Sequence, residues 1–109
     1  MTGWVLLAFA IATEVVGTVA LRASHGLTRV QPIVICVVAY LVSFALLALT
    51  LKHLSLGTTY AIWAGIGTVA IAIIGRLVYH ELITLTNAAG IGLVVVGVVL
   101  IHLGGGVSR

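Results

Sequence analysis

Glu14 stands inside the apolar stretch AFAIATEVVGTVAL, residues 8–21, in a chain that has only two acidic residues. It lies ten residues past Trp4, hence about 15 Å along a helix and near the midplane of a bilayer that Trp4 would border. An ionised acid at that depth costs a few kcal/mol or more. A group under that penalty can exchange a proton near physiological pH. Leu7, Ala10, Ile11, Glu14, Gly17, Thr18 and Leu21 fall on one helical face, within about 120° at 3.6 residues per turn. Small residues above and below the carboxylate leave room for another helix or a ligand. One reading is a packing face with a protonated, hydrogen-bonded Glu. The other is a binding site, because an isolated acid inside a span usually marks function. Such a carboxylate, with no basic partner on its own helix, suits a proton or a poorly hydrated cation. If both need the same oxygens they exclude each other, which is the minimum requirement for proton-coupled exchange.

Aromatic and small residues form the other candidates. In GTTYAIWAGIG, Tyr60, Trp63 and Gly67 share a face by i, i+3, i+7 spacing. Aromatic faces hold cations by about 0.5–2 kcal/mol each; an interfacial aromatic belt is the competing account. Tyr40, Ser43 and Leu47 share a face of another apolar segment. Tyr40 there would donate to the Glu14 carboxylate or line a cavity. Gly65 and Gly67 remove two side chains in mid-segment, which in lipid marks a bend or close packing. Gly90, Gly97 and Gly104 recur every seven residues with Val94 and Ile101 between them. That is a seam along which two backbones can approach closely.

The elements that must carry these residues are four apolar segments, at approximately 4–21, 33–51, 58–79 and 86–103. Each is long enough to cross roughly 30 Å of hydrocarbon as a helix, the form that satisfies its own backbone in lipid. Hydrophobic residues make up 62% of the 109-residue chain and charged ones 6%. A soluble domain carries about a quarter charged residues, so the class is an all-α integral membrane protein, residues 1–109 forming one four-helix transmembrane domain. The first segment lacks a preceding Lys or Arg and contains an acid, so it reads as a retained helix and not a signal peptide. The connections RASHGLTRVQP, KHLSLG and HELITL hold nearly all the charge, the second acid Glu81 included, and Pro32 opens the second segment.

Other classes are disfavoured. Five scattered basic residues make no nucleic-acid patch. The single Cys36 rules out an intramolecular disulfide and multi-Cys metal sites and reads as a small buried hydrophobe. The four His stand singly near loops and segment ends, so no metal site is expected. There is no nucleophile–base pair or phosphate loop, and an enzyme is not expected. One unrepeated chain lacks the second half that transporters place around a substrate, which points to a homo-oligomer. By charge, Lys52 and Arg109 fall on one side of the membrane and Arg22, Arg29 and Arg76 on the other. An imbalance of one Lys or Arg is too small to choose an orientation, so the chain should insert both ways.

Glu14 within TEVVGT, the loop GLTR, and TTYAIWAGIG together resemble the small multidrug resistance family, across the whole chain in length, number of spans and order of motifs. The resemblance implies an antiparallel homodimer in the bacterial inner membrane. It would export lipophilic organic cations in exchange for protons, with the proton gradient as energy source and no cofactor. It places the shared proton and substrate carboxylate on Glu14. The substrate-lining aromatics fall on Tyr40, Tyr60 and Trp63, and further lining on Leu7, Ala10, Ile11, Gly17, Thr18 and Ser43. The helix kink falls on Gly65 and Gly67, and the dimer seam on Gly90 and Gly97. EVVGT, with Gly17 where the guanidinium-exporting branch carries Trp, is similar to the quaternary ammonium branch. Arg76 and Ser55 depart from the family pattern, which has an apolar or aromatic residue and a Pro there. A guanidinium exporter is the nearest alternative; a proton-conducting rotor subunit and a non-transporting assembly protein are more distant ones.

Overall fold

The computed structural model describes residues 2–104, and every one of its regular elements is an α-helix. They are α1 (Thr2–Ala23), α2 (Val30–Thr50), α3 (Leu56–Val78) and α4 (Leu85–Leu103). All four are long and apolar enough to cross a membrane, with mean hydropathies of 1.9 to 2.7 over their best 18-residue windows. At 1.5 Å per residue they span about 29–35 Å. The observed helices extend one to three residues beyond most expected ends. Val30 and Gln31, for instance, precede Pro32 in α2, so Pro32 is the third helical residue and not the first. The missing N–H is still harmless there, since the first turn's donors have no intrahelical partner.

The chain divides into two compact units, Met1–His53 and Leu54–Arg109. In the first, α1 and α2 form an antiparallel hairpin. Ser24, fully buried, builds its turn. The Ser24 carbonyl accepts from the Thr28 and Arg29 amides, and its hydroxyl donates to the Leu21 carbonyl while accepting from the Leu27 amide. His25, Gly26 and Leu27 all take positive φ. Gly26 does so without the Cβ penalty, and the Ser24 bonds hold its two neighbours there. Small residues then let the helices meet. Gly3, Ala10, Gly17 and Ala20 are buried on α1, as are Cys36, Ala39, Ser43 and Thr50 on α2. The Ser43 hydroxyl donates to the Ala10 carbonyl at 2.7 Å across the interface. In lipid, close backbone approach and interhelical bonds of about 0.6–2 kcal/mol replace the hydrophobic effect as the associating force.

In the second unit α3 and α4 are antiparallel. Ser55 is the α3 N-cap, accepting from the Thr58 amide at 3.4 Å. Thr84 and Asn87 make a reciprocal capping box at the start of α4. The α3 helix runs unbroken through Gly65 and Gly67. At Gly65 a Cβ would stand 2.9 Å from Val98 and 3.3 Å from Val94, so the space goes to side chains of α4. Past the end of α3 the amides of Tyr79 and Glu81 both reach the Gly75 carbonyl, with His80 at φ 56° between them.

Candidate functional site

Glu14 lies in mid-α1, half-buried, and among the described residues of its own unit no side chain forms a hydrogen bond or ion pair with its carboxylate. One turn further on, Gly17 and Thr18 meet Tyr40 of α2. Thr18 Oγ1 is 2.7 Å from the Tyr40 hydroxyl and also donates to the Glu14 backbone carbonyl at 3.0 Å. A Cβ at Gly17 would lie 2.6 Å from the Tyr40 ring. The Tyr40 and Phe44 rings are 6.5 Å apart, tilted by 43°.

Of the sequence candidates, the first unit thus brings together Glu14, Gly17, Thr18 and Tyr40. Ser43 and Ala10 meet each other a turn before Glu14. Leu7, Ala10 and Ile11 are buried, at 2%, 0% and 8% exposure. Tyr40 spends its hydroxyl on Thr18 and not on Glu14, because the helix register brings residue 18 opposite residue 40.

In the second unit Tyr60 and Trp63 lie 5.7 Å apart, ring to ring, at a 45° tilt. Tyr60 is 60% exposed. Beside it in sequence the Thr59 hydroxyl is buried, with no hydrogen-bond partner among the described residues. That polar group was not among the candidates, since a Thr in an apolar helix ordinarily bonds the carbonyl four residues back, as Thr68 does to Ala64. Glu81 sits differently from Glu14. Its carboxylate covers Gly75 so closely that a Cβ there would collide with Oε1. With Ala72, Leu82, Ile83, Asn87 and Ile91 it lines an open cavity of about 230 Å³.

The glycines of α4 face open space. A Cβ on Gly90 or Gly97 would meet nothing within 4 Å. Val94, expected in the same seam, packs instead toward Gly65 of α3. One flank of the stripe is therefore used inside the chain and the glycine flank is left open. Arg109, counted above for orientation, lies outside the described residues.

Over residues 2–94 the chain matches the family described as Small Multidrug Resistance protein. It belongs to the small multidrug resistance family. Among its curated relatives is the nicotine metabolites export pump subunit NepA of Paenarthrobacter nicotinovorans, 43% identical over 97% of this chain and 91% of NepA. The quaternary ammonium compound-resistance protein QacE of Escherichia coli is 38% identical over 94% of each chain. The multidrug resistance protein Mmr of Mycobacterium tuberculosis is 42% identical over 94% of this chain and 96% of Mmr. As a member of this family the chain is a transporter and not an enzyme, a multi-pass protein of the bacterial inner membrane. The two departures from the family pattern have local explanations. Ser55 supplies the cap that opens α3. Arg76 is exposed in the last turn of α3, where a cation complements the helix dipole.

Proposed function

We propose that this small multidrug resistance protein is an antiporter that exports lipophilic, quaternary ammonium-type cations and admits protons in return. The two compete for the Glu14 carboxylate. The observation that carries this reading is Glu14 itself: an acid in the middle of a membrane-spanning helix with no hydrogen-bond or ion-pair partner for its carboxylate among the described residues of its own unit. A carboxylate that is neither paired nor capped must take a proton or an external cation to be tolerated in lipid. The names of QacE, a quaternary ammonium compound-resistance protein, and Mmr, a multidrug resistance protein, support the substrate class. The Tyr60–Trp63 pair offers ring faces of the kind that hold such cations. The functional unit in this proposal is an antiparallel homodimer, with α4 meeting its counterpart along Gly90 and Gly97.

The test is proton release from detergent-solubilised protein on addition of a quaternary ammonium dye. Wild type should release protons on binding and Glu14→Gln should neither bind nor release. Proton-dependent export by Glu14→Gln would remove Glu14 from the mechanism. NepA, a pump subunit by name, favours a second reading in which this chain works with a different one. Transport by the purified chain alone in liposomes decides for the homodimer.

A further inference from the structure

We infer that Gly17 and Thr18 are positioning residues for Tyr40, and that the Tyr40 ring they hold sets which cations the Glu14 site accepts. The inference rests on the proposed cation transport at Glu14 and assigns these two residues to the neighbouring ring in place of the substrate.

Two contacts fix the ring. The space a side chain at position 17 would fill is already taken: a Cβ there would lie 2.6 Å from Tyr40 Cδ1 and 2.7 Å from Cε1. Real Cβ atoms do not approach so closely, so any residue larger than Gly must displace the ring. The second contact is the 2.7 Å bond between Tyr40 and Thr18. Thr18 has one hydroxyl hydrogen, and it is directed at the Glu14 carbonyl, 3.0 Å away. The hydrogen in the Tyr40–Thr18 bond is then the phenol's own. Tyr40 has therefore committed its donor to α1, and what it presents to a ligand is an aromatic surface. Gly17 and Thr18 follow Glu14 by three and four residues, which is one helical turn, about 5.4 Å. The ring so held is packed on α1 one helical turn past the residue that carries the carboxylate. Gly17 is buried under the half-buried Tyr40 ring, which stands between it and a cation.

Two measurements on the full chain in lipid nanodiscs test this. The first needs no substrate. The chain has three tyrosines, so 3-fluorotyrosine labelling yields one fluorine signal from each tyrosine in each distinct subunit environment, and Tyr40→Phe assigns the signal of Tyr40. In ligand-free protein Gly17→Ala and Thr18→Val should each move the Tyr40 resonance, while Thr18→Ser, which keeps the hydroxyl, should leave it in place. An unmoved resonance in Gly17→Ala and Thr18→Val would overturn the inference even if transport proceeds as proposed. The second compares binding of tetraphenylphosphonium, bulky and aromatic, with that of tetraethylammonium, compact and aliphatic. Gly17→Ala should change the ratio of the two affinities about tenfold, and Tyr40→Leu should change it comparably. In the Tyr40→Leu background Gly17→Ala should have no further effect on the ratio. Additive effects would mean that residue 17 meets the cation directly and would sink the inference. If wild type binds neither cation, the proposed function fails, and the fluorine result still decides whether Gly17 and Thr18 hold the ring. Should Gly17→Ala not fold, the Thr18→Val and Thr18→Ser pair carries the same test.

Discussion

At the residue scale, the proposed mechanism asks a single carboxylate to serve two ligands, and that competition would have a definite sign. Protons leave Glu14 as pH rises, so cation affinity should rise with pH and level off once the carboxylate is free of protons. Isothermal titration of a quaternary ammonium cation across pH 5 to 9 checks this; pH-independent affinity would contradict competition. Glu14→Asp keeps the acid but shortens its reach by one methylene, and should retain partial transport with a displaced pH optimum. Tyr60, exposed and 5.7 Å from Trp63, separates ring from hydroxyl. Tyr60→Phe keeps the ring face and should weaken binding less than Tyr60→Leu, which loses about 0.5–2 kcal/mol of cation–π attraction, or roughly a twofold to thirtyfold change in affinity. Equal losses would shift the role to the hydroxyl.

At the element scale, the four helices are used unequally. The α1–α2 hairpin is stitched by the Ser43–Ala10 and Tyr40–Thr18 bonds and by small buried residues. No residue of α4 is buried in the chain, although it is among the most apolar of the helices. Its glycines at 90 and 97 leave a shallow groove into which another helix backbone can settle. In the proposed dimer that groove meets its counterpart. Gly97→Leu should then push the two backbones apart, lower the dimer fraction seen by cross-linking or analytical ultracentrifugation in detergent, and reduce cation binding with it. A fully dimeric and fully active Gly97→Leu protein would move the interface elsewhere. Gly65 is the internal contrast. Its space is filled by Val94 and Val98, so a large residue there should disturb the α3–α4 hairpin within one chain.

At the scale of the whole molecule, orientation follows from a few exposed charges. Arg22 and Arg29 flank the first turn and Lys52 the second connection, all on the surface. In the proposed antiparallel homodimer, the near balance of Lys and Arg across the two sides would leave insertion undecided, and one gene product would then supply both halves of the inverted pair. In such a pair, two subunits of different shape that exchange shapes regenerate the same structure facing the other way. The inward- and outward-open states then have similar intrinsic energy, and the gradients set the direction. Arg22→Ala with Arg29→Ala and His53→Lys should drive one orientation. Lys52→Ala with Leu82→Lys, the latter at a position 90% exposed, should drive the other. Each biased chain alone should transport poorly, and co-expression should restore activity. Full activity from a chain shown by cysteine labelling to have a single orientation would exclude the antiparallel dimer.

What the sequence by itself determined is set by composition, periodicity and chemical type. Four apolar runs of membrane-crossing length read as helices in lipid, because only a helix satisfies its backbone within its own segment. An acid in such a run identifies itself, since its ionised form is expensive wherever the helix is placed. The motif order then pointed to the family that the comparisons establish. What only the tertiary structure decided is register and partner choice. The six-residue segment 24–29, held by Ser24 with three residues at positive φ, sets the offset between α1 and α2. That offset puts the Tyr40 ring over Gly17 and its hydroxyl on Thr18, and Ser43 on the Ala10 carbonyl. Likewise the 3.6-residue period groups Val94 with Gly90 and Gly97, while the packing of α3 takes Val94 and leaves the glycines open. A periodic pattern fixes which residues share a face; which part of that face another helix covers depends on connection geometry and on the fit of particular side chains into particular gaps, and neither is written in the period.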